Sequence, residues 1–135
     1  MNKAKPKTES LPMLIKELDG VFSRYIHLRD ALPNGRFICI SCGKEKPISE
    51  AQAGHYYPRG TMSTRFDEDN VHLECVYDNC FNKDHLKGYL TNLLMKIGQD
   101  RLWQLDQKAK QMKKWTHYEL KELIEYYKEK IKQIK

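Results

Sequence analysis

The stretch from Cys39 to His85 decides the fold of this chain: CISCGKEKPISEAQAGHYYPRGTMSTRFDEDNVHLECVYDNCFNKDH. It contains all four cysteines of the 135-residue sequence, a histidine that follows a glycine, and several asparagines. The residues on either side have apolar side chains at helical spacing and many lysines. We therefore expect a small metal-stabilised core that is flanked by helices.

The four cysteines form two pairs, Cys39-x2-Cys42 and Cys75-x4-Cys80, with 32 residues between them. In a reducing compartment, cysteines bind metal more often than they form disulfides. Gly43 gives the first pair the backbone freedom of a tight knuckle. Four thiolates make a closed zinc site without an open position for substrate. The spacing thus predicts a structural Zn²⁺ ion held by Cys39, Cys42, Cys75 and Cys80, with another metal or redox chemistry as the alternatives.

Length and composition indicate one domain, residues 10–135, after a basic disordered tail at residues 1–9. The net charge of +6 is unevenly distributed. Residues 101–135 have 10 Lys/Arg against 5 Asp/Glu, whereas residues 37–100 have 7 against 9. Basic flanks beside a slightly acidic centre suit a polyanionic partner, although solvated lysine-rich helices would give the same totals. The sequence has neither a run of about 18 apolar residues nor a secretory h-region, so we expect a cytoplasmic protein that does not contact membranes.

Local signals predict an α+β fold. Residues 10–34 read as an N-terminal helix that begins at Ser10 and ends by Ala31, before the turn Leu32–Gly35. Residues 35–98 read as the core, with strands near 36–40, 51–57 and 70–74 and a helix from about 79–82 to 97. Residues 99–135 read as a helical extension, with one helix over 99–112 and a last helix that begins at the capping box Thr116–Glu119.

Four polar residues inside the cysteine frame could form a hydrolytic site. His55 ends one strand, and imidazole is suited to act as a base near neutral pH. Asn70 begins the return strand, from which its amide could orient the histidine. Asn82 and His85 lie three residues apart at a helix start, so they share a face and could hold a divalent ion. Hydrolysis of a phosphodiester needs such a base and such a cation.

The order Cys-x2-Cys, His, Asn, Cys-x4-Cys and Asn-x2-His resembles the HNH (ββα-metal) nuclease pattern. The segments YIHLRDA (25–31), CISCG (39–43), AGHYYPRG (53–60) and RFDEDNV (65–71) are similar to the phage NinG/Rap recombination endonuclease family. That resemblance implies a phage or prophage origin and an HNH-type, structure-specific endodeoxyribonuclease that cleaves branched DNA such as Holliday junctions and D-loops. It also implies His55 as general base, Asn70 as its orienting residue, Asn82 and His85 as ligands of Mg²⁺ or Mn²⁺, and the four cysteines as zinc ligands. Gly54 departs from the pattern, because many HNH enzymes have a metal ligand at that position.

Two other functions are compatible with the same residues: a non-catalytic zinc-containing nucleic-acid-binding module, and an adaptor for a recombination protein. A homodimer would suit two-fold cleavage of a junction, with the last helix as its interface. The candidate DNA contacts are basic side chains of the first helix, the central loop, the core helix and the segment before the last helix. They are Arg29, Arg59, Arg65, Lys83, Lys87, Lys113 and Lys114.

Overall fold

The computed structural model describes residues 9–134, so all but one residue of the predicted basic tail lie outside the described residues. Its elements confirm the α+β class. The helices are α1 (Leu11–Asp30), α2 (Val76–Cys80), α3 (His85–Ile97), α4 (Gln99–Ala109) and α5 (His117–Ile134). The strands are β1 (Arg36–Ile38), β2 (Glu45–Pro47), β3 (Ala51–His55) and β4 (Val71–Cys75), with one 3₁₀ turn at Ile48–Glu50.

The helix boundaries follow from local capping chemistry. Ser10 caps α1, because its hydroxyl oxygen accepts a hydrogen bond from the backbone N–H of Met13 at 3.3 Å. Thr116 and Glu119 form the predicted capping box of α5: the Thr116 hydroxyl accepts from Glu119 N at 3.2 Å, and Thr116 N donates to the Glu119 carboxylate at 3.1 Å. Gly98 separates α3 from α4 with a φ of 86°, a conformation that favours glycine.

Two helices differ from the sequence-based boundaries. The core helix, predicted to start at about 79–82, begins at His85 as α3, and the separate short helix α2 precedes it. The side-chain oxygen of Asn82 accepts a hydrogen bond from Asp84 N at 3.1 Å, and this local turn competes with helical bonding between them. The helix α4 ends at Ala109 rather than near 112. There Lys110 N and Gln111 N bond to carbonyls three residues earlier, which tightens and closes the last turn.

Two antiparallel hairpins form the β structure. The first pairs β1 with β2 and supports the knuckle that contains Cys39 and Cys42. The second pairs β3 with β4, with His55 opposite Val71 and Ala51 opposite Cys75. A backbone bond of 3.0 Å from Ile40 N to Leu73 O joins the knuckle to β4. The knuckle and the end of the second hairpin are therefore held in one unit.

Two hydrophobic clusters flank this unit. The larger one packs α1 and α5 against one face of the second hairpin and contains an aromatic group of Phe22, Tyr25, Phe66 and Tyr127. The smaller one consists of Ile40, Tyr89, Leu93, Ile97 and Leu105 and packs α3 and α4 beside the knuckle. None of the helices in residues 9–134 has the length and hydrophobicity of a membrane-spanning segment.

Candidate active site and metal centre

The metal centre is a cluster of three thiols and one carboxylate. Ligand atoms of Cys39, Cys42, Cys75 and Asp78 all lie within 4.8 Å of one another. Asp78 Oδ2 lies 3.3 Å from Cys39 Sγ and 3.1 Å from Cys75 Sγ. Soft thiolates with one carboxylate suit zinc, which prefers four such ligands in a tetrahedral arrangement. The chemistry of this donor set fits a structural zinc ion.

The fourth donor of this cluster differs from the sequence prediction. Cys80 lies outside it, and its exposed thiol lies 3.4 Å from Gln52 Oε1. Asp78 takes the position because Cys75-x2-Asp78 repeats the two-residue spacing of Cys39-x2-Cys42, so each pair spans one turn. That equal spacing was the signal in the sequence that could have identified Asp78. The wider Cys75-x4-Cys80 spacing would instead place the second donor further round α2.

Hydrogen bonds keep the Asp78 carboxyl ionised. Burial raises the pKa of Asp78, but the bonds that it accepts from Asn82 and from the thiols of Cys75, Cys42 and Cys39 outweigh that effect and lower the pKa to about 2. The amide of Asn82 donates to Asp78 Oδ1 at 2.9 Å. Asn82 therefore orients a residue of the metal cluster rather than reaching His55.

His85 contacts Glu74 and does not line the cleft that contains His55. Its Nδ1 lies 2.5 Å from Glu74 Oε2, an oxygen that also accepts a hydrogen bond from the Ser41 hydroxyl. Glu74 is fully buried, and its second oxygen has no hydrogen-bond partner within residues 9–134. A side chain on Gly54 would overlap Glu74, so the residue before His55 must remain a glycine. The predicted pair of catalytic-metal ligands, Asn82 and His85, is thus not brought to His55 in this structure.

His55 lies beside a polar cleft of about 250 Å³ between α1 and the second hairpin. Its Nε2 lies 3.0 Å from the carbonyl oxygen of Arg65. Because a carbonyl can only accept, this bond places the ring proton on Nε2 and leaves the lone pair on Nδ1. Burial lowers the pKa of His55 below its ordinary value, and Arg59 and Arg65 lower it further. The ring is therefore neutral at pH 7 and can accept a proton.

Asn70 holds the loop that follows His55. It is fully buried, and its side-chain oxygen accepts from Tyr57 N at 2.8 Å. Its amide donates to the carbonyls of Tyr57 and Thr64, both at 3.0 Å. From α3, the hydroxyl of Tyr89 donates to the carbonyl of Gly54 at 2.6 Å. These bonds fix the backbone on both sides of His55, and Asn70 reaches Tyr57 and Thr64 rather than the His55 ring.

Sequence reasoning missed four polar residues of the cleft: Asp19 and Ser23 from α1, Gln52 from β3, and Asn79 from α2. The amide of Asn79 donates to Gln52 Oε1 at 2.6 Å, so its own oxygen stays available to a ligand. Asn79 directly follows Asp78 in the sequence, but nothing in the sequence places it beside His55. Asp19 and Ser23 have no local signal, because only the packing of α1 on the hairpin brings them to the cleft.

The predicted DNA contacts divide into two groups. Arg29 is enclosed: its guanidinium donates to Asp30, to the carbonyls of Glu68 and Val71, and to His72 Nδ1, so it cannot act as a phosphate contact. Arg65 pairs with Asp19, and Lys113 pairs with Glu119 beside the Trp115 ring. The side chain of Arg59 is 65% exposed and lines the cleft. The other exposed candidates are Lys83, Lys87 and Lys114.

Fold and site define a small α+β protein with a cluster of three thiols and one carboxylate, buried except at Cys42, whose donor set suits a metal ion, and with a histidine-containing polar cleft. The sequence model of the family described as "Bacteriophage Lambda NinG protein" matches residues 1–135. The chain therefore belongs to the NinG family of bacteriophage lambda.

Among its relatives are the proteins named ninG from Escherichia phage lambda and Salmonella phage P22, which are 31% and 32% identical to it over 125 residues. These alignments cover 90% of this chain and 57% of each relative. The ninG protein of Escherichia phage 933W is 31% identical over the same length, with 58% of that protein covered. The chain thus spans less than three fifths of these relatives. No solved structure matches it significantly.

Proposed function

We propose that this chain is a metal-dependent DNA endonuclease in which His55 is the general base for phosphodiester hydrolysis. The observation that carries the proposal is the hydrogen bond from His55 Nε2 to the Arg65 carbonyl, because it leaves a neutral Nδ1 free in a polar cleft. A histidine that served only the fold would be expected to have both ring nitrogens bonded, as His72 has.

The chain's residues have distinct parts in this proposal. His55 Nδ1 takes a proton from the attacking water. Asn70 keeps the following loop, and with it the Arg65 carbonyl, in place. Arg59 offers an exposed cation to a phosphate oxygen of the bound strand. The three-thiol cluster with Asp78 holds the β3–β4 hairpin against α2, which we propose is an HNH-like ββα-metal core.

The ion that the HNH resemblance implies, Mg²⁺ or Mn²⁺, would stabilise charge on the phosphate and on the leaving oxygen. Of the residues that line the cleft, Asn79 offers an amide oxygen, a donor that hard cations accept. Such a site would need phosphate and water oxygens as its remaining ligands. Asn79 therefore replaces Asn82 and His85 as the candidate protein ligand.

Branched DNA is the proposed substrate class, in agreement with the similarity of segments 25–31, 53–60 and 65–71 to phage recombination endonucleases. The exposed cations Arg59, Lys83 and Lys87 provide the charge that a DNA backbone requires. A homodimer would allow paired cuts across a junction and belongs to the same proposal.

The test compares wild type with His55→Ala on a labelled four-way junction, a flap and plain duplex, each with Mg²⁺ or Mn²⁺. Loss of a general base lowers the cleavage rate by about 10²- to 10⁴-fold, while zinc content, melting temperature and DNA affinity stay the same. His117→Ala, at the start of α5 and outside the cleft, is the matched control.

Equal cutting by wild type and His55→Ala would reject the endonuclease proposal. If neither protein cuts and both bind, the alternative function holds: a non-catalytic zinc-containing nucleic-acid-binding module. Binding of a recombination protein instead of DNA would indicate the adaptor.

A further inference from the structure

We propose that Asp19 on α1 is a positioning residue for His55 and that it acts through Arg65. This inference rests on the proposed function of His55 as a base. Two sets of hydrogen bonds connect these residues. The Asp19 carboxylate accepts two hydrogen bonds from the Arg65 side chain, and the Arg65 carbonyl accepts one from the His55 ring. Asp19 itself touches neither DNA nor reacting atoms in this scheme.

The first link is a two-point pairing. Arg65 Nε donates to Asp19 Oδ1 at 3.0 Å, and Arg65 Nη2 donates to Oδ2 at 2.5 Å. Such a fork fixes the plane of the guanidinium as well as its position. The two side chains are only 17% and 19% exposed, so water screens this pair less than a surface ion pair. By contrast, Arg59 lies 3.9 Å from the same carboxylate and is 65% exposed, so it stays free to bind phosphate.

The second link passes from side chain to backbone. Arg65 Nη1 donates to the carbonyl of Arg59 at 3.1 Å, so the guanidinium also closes the loop between these two residues. With the loop closed, the Arg65 carbonyl stands 3.0 Å from His55 Nε2. Asn70 holds the carbonyl of Thr64, the residue before Arg65, and Asp19 holds the Arg65 side chain. Without Asp19, the Arg65 carbonyl would be held from one side only and would be less well fixed against the ring.

The consequence for His55 concerns which nitrogen bears the proton. An imidazole with a fixed carbonyl at Nε2 is held in one tautomer, with Nδ1 available as base. An imidazole without that partner exchanges between both tautomers and both ring orientations. A displacement of about 1 Å in a catalytic group can cost about 100-fold in rate. Asp19 thus affects catalysis from α1, an element outside the hairpin.

The experiment uses full-length Asp19→Asn and Arg65→Lys, each of which removes the two-point pairing and keeps a polar side chain. Glu17→Gln is the matched control, because it neutralises another carboxylate of α1 that pairs with Lys128, away from the cleft. The first readout is ¹⁵N NMR of the His55 ring in zinc-loaded protein. We expect one tautomer, protonated at Nε2, in wild type and Glu17→Gln. We expect a mixture of tautomers in Asp19→Asn and Arg65→Lys, the two fork variants.

The second readout is the kinetics of junction cleavage. We expect the turnover of both fork variants to fall about 10- to 100-fold while their DNA affinity stays unchanged. The double variant should lose no more than the worse single variant, because both changes break the same link. A fall in DNA affinity for Arg65→Lys instead would make Arg65 a phosphate contact and overturn the proposal.

The outcomes separate this inference from the proposed function. If wild type does not cut DNA, the endonuclease proposal fails, and the inference is then decided by the NMR readout of the ring. If wild type cuts, and the fork variants keep both the single tautomer and the wild-type turnover, then Asp19 has no positioning role. If Asp19→Asn or Arg65→Lys fails to fold, its circular dichroism melting curve shows this, and the other variant then decides the inference.

Discussion

At the residue scale, Asp78 and Cys80 are the two candidates for the fourth ligand of a zinc ion. Asp78 lies with the three thiols, whereas Cys80 faces Gln52. We expect Asp78→Ala to weaken zinc binding by at least about 10- to 100-fold, since even partners of metal ligands have effects of that size. Cys80→Ser should keep zinc. Zinc content and competition with a chromophoric chelator measure both, and the reverse result would restore Cys80 as the ligand.

We expect His72 to make the stability of the protein depend on pH. The ring is 2% exposed, Nε2 donates to the Asp69 carbonyl at 2.8 Å, and Nδ1 accepts from Arg29 at 3.1 Å. Burial, together with the charges of Lys96 and Arg29, lowers the pKa of His72 to about 4. A proton on Nδ1 would meet the Arg29 guanidinium at 3.1 Å, while the Asp30 carboxylate lies further away at 4.0 Å, so the folded state disfavours that proton.

The sign of the effect follows from the direction of this shift. The unfolded chain takes up the proton near pH 6.5 and the folded chain only near pH 4, so stability is unaffected above pH 6.5 and falls as the pH decreases between these values. By pH 5 the penalty is about 2 kcal/mol. Urea unfolding of wild type and His72→Gln at several pH values measures this loss of stability. Protonation of the cluster thiols affects both proteins equally and therefore cancels in the comparison. Parallel pH dependences of the two would contradict the assignment.

At the element scale, glycine positions report how closely the elements approach. A side chain on Gly88 in α3 would overlap the carbonyl of Ser41 in the knuckle, whereas one on Gly20 in α1 meets nothing within 4 Å. We therefore expect Gly88→Ala to destabilise the protein by about 1–3 kcal/mol, because α3 must move away from the knuckle. Gly20→Ala should stabilise it by about 0.5–1 kcal/mol, because a helical glycine loses more entropy on folding than alanine. A lower melting temperature for Gly88→Ala and a higher one for Gly20→Ala would support this packing, and equal changes would contradict it.

The sequence predicted those elements whose signals are local. Ser10, Gly98 and the Thr116–Glu119 box mark helix ends through bonds to neighbouring residues, and all three ends occur where expected. The metal cluster was predicted as a class but not in its fourth donor, because cysteine content drew attention to Cys80 rather than to the spacing of Asp78. Asp19 had no local signal at all, since only the docking of α1 brings it near His55.

The charge pattern of the sequence does not show which arginine side chains are exposed. Arg29 and Arg65 look equivalent to Arg59 in the sequence, yet the structure encloses the first two and exposes the third. The difference arises from Asp30 and Asp19, which neutralise their partners at the packed side of α1. A count of basic residues therefore overestimates the number of basic side chains that are free to contact a partner in this part of the chain.

At the scale of the whole molecule, the metal centre lies where the two hydrophobic clusters meet. Cys39 and Cys75 belong to the larger cluster, while Ile40, the next residue, belongs to the smaller one. The amide of Asn92 donates to the Ile40 carbonyl at 2.7 Å, which ties α3 to the knuckle. An ion at this position would hold both clusters together, and its loss would leave a buried carboxylate among thiols at the junction.

We therefore expect chelation of zinc to unfold the protein rather than loosen one loop. Binding free energy of a structural zinc is folding free energy when the ligands come from separate segments, as they do here from the knuckle, β4 and α2. Circular dichroism and melting curves with a strong zinc chelator measure the effect. Zinc added back should restore the melting transition and magnesium should not, because hard cations bind thiolates poorly. An unchanged melting curve after complete removal of zinc would show that the two clusters hold together by packing alone.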